Sequence, residues 1–299
     1  MGRISVIGSC NMDVVVEADR RPSAGETVIG KRLLLSPGGK GANQAVAAAR
    51  LGEEVFMIGC VGQDAYGDIM LKALKDSGVD TSHVTVLENE TTGTAHITLA
   101  EGDNSIIVIK GANDKVTPEI VDKSFDVIAS SDLVMLQHEI PLETVGYIID
   151  RCYKEGIPVM LNPAPYMDIP ADWIEKVTYI TPNEHEAALM FSGMERDEIL
   201  KNHAGKVIMT VGSEGVVYGD AGEVVHVPGF KVSVADTTGA GDTFNGAFAA
   251  GRCEGLSMKE AIRFANAAAA LSVQKIGAQG GMPWRREVEE MLSCKKQEF

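Results

Sequence analysis

The sequence predicts an α/β protein: a mainly parallel central sheet flanked by helices, with a small inserted antiparallel β lid. Three observations predict it. Apolar, β-branched runs alternate with helical stretches in the first part of the chain and again from Pro118 onward. Between them, His83 to Ile109 holds short β runs and turns but no helix. Glycines stand where helices should stop, at Gly52, Gly78 and Gly156.

Taken in order, Arg3 to Gly8 reads as a buried strand and Val14 to Val16 as another. Thr27 to Leu35 reads as a strand pairing back on it, broken by Ser36-Pro37-Gly38-Gly39. Lys40 to Leu51 is an alanine-rich helix. Val55 to Val61 is a strand and Asp64 to Ser77 a helix. Val84 to Leu87, Thr94 to Leu99 and Ser105 to Lys110 form an antiparallel hairpin set. Pro118 to Ser130 is a helix and Leu133 to Leu136 a strand. Pro141 to Glu155 is a helix with Leu142, Val145, Ile149 and Cys152 on one face. Pro158 to Leu161 and Thr178 to Thr181 are strands, Asn183 to Phe191 a helix, and Lys206 to Val211 a strand. Val216 to Tyr218 and Glu223 to Val227 form a hairpin. Asp242 to Arg252, Ser257 to Lys275 and Arg285 to Leu292 are helices. With no repeat and no low-complexity linker, residues 1–299 are expected to form one domain, the lid made by about 12–36 and 94–110.

The balance of 27 basic against 42 acidic residues, a net charge of −15, argues against nucleic acid or an anionic membrane as partner. No apolar run reaches membrane-spanning length. The five cysteines are scattered without a C-x-x-C pair, which fits buried hydrophobes in a reducing cytoplasm better than disulfides or zinc.

The most informative stretch is Asp236-Thr237-Thr238-Gly239-Ala240-Gly241-Asp242, opening the helix from Asp242. Small residues let a loop turn its N–H groups toward an anion, and a helix N-terminus adds donors and partial positive charge. A carboxylate beside such a cradle can take a proton from an attacking hydroxyl while the cradle stabilises a transferring phosphoryl group. The same residues also fit a helix cap and a tight turn.

Other polar groups fall just after predicted strands, where open α/β sheets bind ligands. They are Asn11 and Asp13, Gly39, Lys40 and Asn43, Glu139, and Asn183 with Glu186. Lys40 and Asn43 share a helical face, and a lysine at a helix N-terminus is electrostatically awkward. Individually each also fits an Asx turn, a solvated acid or a helix cap. Neither G-x-x-x-x-G-K-[ST] nor G-x-G-x-x-G occurs, and the six histidines show no metal-ligand spacing. His138 and His185 read as partly exposed polar residues.

Together, Gly38-Gly39-Lys40-Gly41-Ala42-Asn43-Gln44-Ala45, Asn183-Glu184-His185-Glu186, Asp236 through Asp242 and Gly277-Ala278-Gln279 resemble the ribokinase-like carbohydrate kinases over nearly the whole chain. Asn11-Met12-Asp13 and Gln137-His138-Glu139-Ile140-Pro141 point to the ribokinase branch. The resemblance implies ATP-dependent phosphorylation of D-ribose at its primary hydroxyl. Asp242 would be the base, and the Gly239, Ala240, Gly241 and Asp242 backbone the anion hole. Asn11, Asp13, Gly39, Lys40, Asn43 and Glu139 would hold the sugar with Asp242. ATP would lie along Asn183, Thr210, Val211, Gly212, Ser213, Glu214, Gly215, Gly241 and Asn266. Glu186 would help place Mg²⁺ through water. K⁺ would sit at Asp236, Thr238, Ser272, Lys275, Gly277 and Gly281, the last a position where members often carry serine. The lid would exclude water and join two copies as a homodimer. Kinases of the same fold acting on another sugar or a nucleoside, and a non-catalytic sensor, are the alternatives. A dinucleotide-dependent oxidoreductase would need the glycine fingerprint that the chain lacks.

Overall fold

A seven-stranded, fully parallel sheet forms the middle of the protein, in a computed structural model that describes residues 1–294. Its order is Tyr179–Ile180, Val159–Asn162, Leu133–Gln137, Arg3–Ile7, Glu54–Gly62 and Val79–Asp80, with Val84–Leu87 paired further along Glu54–Gly62. Strand alternation sorts the core into two halves. Ile4, Val6 and Met57 face a cluster with Ala45, Phe248 and Ile262, whereas Ile7, Ile58 and Leu136 face one with Ile149, Val145 and Cys152. Parallel strands buried on both faces explain the continuous apolar runs of the sequence.

Helix ends follow local chemistry. Asp64 caps Ala65–Asp76 through Gly67 N–H, and Ser257 with Glu260 forms a capping box on Met258–Ser272. Leu142–Glu155 follows Pro141 and closes at left-handed Gly156.

Two smaller sheets flank the parallel one. Ile208–Thr210, Gly215–Asp220 and Glu223–Pro228 are antiparallel, joined to the main sheet by parallel bridges Ile180 to Val207 and Asn183 to Thr210. The sheet expected to act as a lid has four strands in the order Arg32–Gly38, Asn11–Glu17, Gly93–Ala100 and Asp103–Ile109.

Several expectations are corrected. Val84–Leu87 belongs to the main sheet, pairing parallel, and the lid is mixed because Asn11–Glu17 and Gly93–Ala100 also run parallel. The third strand spans Arg32–Gly38 instead of Thr27 to Leu35. Pro37 is tolerated because this strand is the sheet's edge, where a missing N–H breaks no ladder. The helix expected over Pro118 to Ser130 is two, Pro118–Asp122 and Phe125–Ala129, interrupted at Ser124. Helices at Ala171–Lys176 and Arg196–Asn202 were not foreseen; each is too short to show a period.

Candidate active site

The groups singled out after predicted strands gather at the carboxyl ends of the parallel strands. Helix Ala240–Cys253 begins from Gly239, whose φ of 77° is left-handed. The bend places Ala240 and Gly241 at the helix N-terminus and Asp242 in its first turn, 7% exposed. Asn43 Nδ2 donates to Asp242 Oδ2 at 2.9 Å and Gln44 Nε2 to Oδ1 at 3.1 Å. Burial pushes the Asp242 carboxyl above its ordinary value, against Lys40 and the two amides.

Lys40 opens helix Lys40–Arg50 after Gly39, which has φ 88° and offers no side-chain cap. Glu139, two residues past strand Leu133–Gln137, supplies one: its Oε2 accepts from Lys40 N–H at 2.9 Å and Ser9 Oγ–H at 2.5 Å. A carboxylate at this N-terminus answers the awkward placement of the lysine. Burial pulls Lys40 down, but Asp242, Glu139, Glu186 and Asp13 outweigh it and hold it above the ordinary lysine value. Four carboxyls, Asp242, Glu139, Glu186 and Asp13, therefore share one cation.

Asn11 and Asp13 lie on lid strand Asn11–Glu17. Asn113, which neither motif nor spacing announces, donates Nδ2–H to Asn11 Oδ1 at 2.7 Å. Asp13 packs against Gly38, where any β-carbon would collide with its carboxyl. Burial, then Glu139 and Asp242, push Asp13 up to about 7, with Lys40 opposing. Because this folded value is raised, the stability Asp13 contributes is full below the unfolded value near 4 and lost as pH rises through about 7. In the sugar-free protein, melting temperature should therefore fall between about pH 4 and 7, and Asp13→Asn should flatten that fall (pH-resolved thermal scans). An equally steep fall in the variant would refute the assignment.

A cleft of about 770 Å³ opens beside the N-terminus of helix Ala240–Cys253, with Ala240 and Gly241 at one side. Of the expected nucleotide residues, Asn183, Thr210, Gly212, Ser213, Glu214, Gly215, Gly241 and Asn266 line it. Val211 does not; it is buried in the core. Val216, Phe230, Val234, Ala269, Ala270 and Val273 give the cleft apolar walls suited to a base. Asn183 and Glu186 form a capping box on Glu184–Met190, so their cap reading holds alongside any ligand role. Asn266 Nδ2 donates to the Val227 and Pro228 carbonyls, fixing the hairpin wall.

Asp236 accepts from Thr238 N–H, Thr238 Oγ1–H and Gly277 N–H, at 2.9, 2.7 and 2.8 Å. Burial pushes it up, but these bonds hold it below the ordinary carboxylate value. Lys275 N–H donates to Ser272 O, and Gly281 N–H to Gly277 O. Lys275 Nζ turns to Glu287. A β-carbon at Gly281 would meet Ser272 O at 2.2 Å, so the glycine permits this close approach. The partners of the Asp236 carboxylate here are N–H and O–H donors, while Ser272 O and Gly277 O accept from Lys275 and Gly281. Among the described residues no group of three or more His, Cys, Asp and Glu side chains could hold a metal.

Sequence reasoning missed a layer of buried amides behind Asp242: Gln44, Gln137, Asn162 and Gln279. Gln44, Gln137 and Gln279 stand in the motifs above, but their role needed the fold. His138 is a correction: it is 1% exposed instead of partly exposed, donates Nδ1–H to Pro165 O, and burial pushes it down to about 4. His185 is exposed.

The profile of the pfkB family of carbohydrate kinases matches residues 1–285. A ribokinase of Bacillus subtilis is 52% identical over 293 residues, covering 98% of this chain and all of the relative. One of Lactococcus lactis is 49% identical, covering 98% and 97%. A solved Arabidopsis thaliana ribokinase complexed with ribose and ATP superposes with a TM-score of 0.90 at 36% identity, covering 97% of this chain and 98% of that one.

Proposed function

This chain belongs to the pfkB family of carbohydrate kinases, and from that premise we propose that it transfers the γ-phosphoryl group of ATP to the primary 5-hydroxyl of D-ribose. The observation that carries the reading is Asp242. It is a buried carboxylate in the first turn of a helix whose N-terminal Ala240 and Gly241 border the nucleotide cleft, and it is electrostatically coupled to Asp13, Lys40 and Glu139.

The ribose 5-oxygen attacks the γ-phosphorus as its proton passes to Asp242. The bond from that phosphorus to the bridging oxygen breaks and ADP leaves. Backbone N–H groups of Gly239 to Asp242 take the developing charge. Asn11, Asp13, Lys40, Asn43 and Glu139 hold the sugar's hydroxyls, and a sugar lacking one leaves them unpaired. Glu186 would hold Mg²⁺ through water, which suits an ion that keeps most of its hydration. Mg²⁺ would supply charge neutralisation on the phosphates. Asp236, Thr238, Ser272, Lys275, Gly277 and Gly281 would hold K⁺ beside the cradle.

ADP release from ATP and Mg²⁺ with D-ribose, with and without K⁺, tests this. Ribose-dependent turnover stimulated by K⁺ is expected. Turnover confined to another sugar or a nucleoside would overturn the substrate; ATP binding without turnover would favour a sensor.

We propose also that two copies dimerise through the lid. Strand Asp103–Ile109 is exposed throughout and carries four consecutive apolar residues, Ile106 to Ile109, so both sheet faces are apolar there. Ile106→Lys with Ile107→Lys should convert a micromolar dimer to monomer in sedimentation. A wild-type monomer at that concentration would refute the proposal.

A further inference from the structure

Asp242 is gripped by one amide on each oxygen, and the two amides are not equivalent. Asn43 is a sugar-facing candidate, and its Oδ1 accepts from Gln279 Nε2 at 3.1 Å. Gln44 is fully buried, out of reach of sugar and nucleotide. Its orientation is dictated from behind. The Thr181 carbonyl can only accept, so it takes Asn162 Nδ2–H at 3.0 Å and turns Asn162 Oδ1 toward Gln44. Gln44 Nε2 then spends one hydrogen on Asn162 Oδ1 and the other on Asp242 Oδ1, both at 3.1 Å. Its Oε1 accepts from Gln137 Nε2 at 2.8 Å. A flipped Gln44 would set oxygen against two acceptors and nitrogen against a donor.

We propose that Gln44 is a positioning residue for phosphoryl transfer: its amide, oriented through Asn162 by the Thr181 carbonyl, fixes the Asp242 carboxylate to receive the hydroxyl proton. The proposal rests on the sugar-kinase reading. Asp242 also feels Lys40, Glu139 and Asp13. A neutral substitution at Gln44 leaves those charges in place, so any shift it causes in the acidic limb of the rate profile reports the lost donor.

The test is the pH dependence of kcat, and the ribose KM, in the full-length enzyme. Gln44→Met keeps the volume and removes the donor. It should lower kcat about thirtyfold, as for a lost hydrogen bond to a charged group. The ribose KM should stay within about threefold of wild type, since Gln44 is buried and offers the sugar no contact to lose. The acidic limb should move up by about one pH unit. Gln44→Glu fills the site but sets a second carboxyl against Asp242, so its limb should move further up. Gln137→Met, which leaves the Asp242 bond intact, should leave the limb where it is. A merely structural role predicts lower melting temperature and proportionate loss at every pH. Unmoved limbs in both Gln44 variants, beside an active wild type, overturn the role of Gln44. If Gln44→Met does not fold, Gln44→Leu, which also removes the donor without adding a charge, decides on the same readout. A wild type without ribose turnover overturns the kinase reading instead.

Discussion

Asp242→Asn should lower kcat for ribose by about 10³-fold, within the range a positioned general base contributes. The substitution keeps the shape and removes the basic oxygen. It also disturbs the grip on that side chain. Both present partners, Asn43 Nδ2 and Gln44 Nε2, donate, so the new carboxamide must turn its own donor on one of them. Asn43 cannot flip to accept without leaving Gln279 Nε2 unpaired. Burial already makes the wild-type charge costly, so the neutral residue relieves one penalty as it creates another. The melting temperature should stay within about 2 °C of wild type, a change of about 1 kcal/mol or less. Ribose binding by calorimetry should persist while ADP release collapses. A variant still turning over within tenfold of wild type would remove Asp242 from the role of base.

Gly246→Val should destabilise the protein by about 3 kcal/mol, at the upper end of overpacking costs, and abolish activity with it. Gly246 lies one turn beyond Asp242 on helix Ala240–Cys253, where that helix rests on Lys40–Arg50. A β-carbon there would stand 2.6 Å from Ala47 Cβ, 2.7 Å from Gln44 O and 2.9 Å from Ala48 N. Two of these are backbone atoms and cannot move as a rotamer does. One helix carries Asp242; the other carries Lys40, Asn43 and Gln44. Spreading them breaks the register of the base with its donors. Urea unfolding with matched activity assays measures both effects. Wild-type stability in Gly246→Val would show that the helices are free to separate.

The framework was legible where the signal is local. Leu142–Glu155 could be read from its apolar face, its proline and its glycine. The helix start at Gly239 to Asp242 could be read because small residues ahead of an apolar helical run mark such a start. What could not be read is non-local. The alternation in Val84–Leu87 announces a strand but not its neighbour, and the neighbour is the main sheet. Pro37 looked like a break because sequence does not say which strand lies at an edge. The amide layer has no pattern either. Gln44 follows Asn43 directly, so the helix points the two in different directions, one toward the ligand side and one into the core. Only the fold brings Gln137 and Asn162 to meet it.

The lid strand bearing Asn11 and Asp13 is a separate sheet from the elements that hold Asp242, Gln44 and Asn162. That separation divides the chain into two heritable parts. On the proposed reading, drift in the lid would retune the hydroxyls facing Asn11 and Asp13, whereas those facing Lys40, Asn43 and Glu139 stay tied to the elements that support Asp242. Change in the buried amides, by contrast, strikes every substrate alike. A lineage built this way can explore new sugars by altering a few lid positions, without passing through descendants that have lost the reaction.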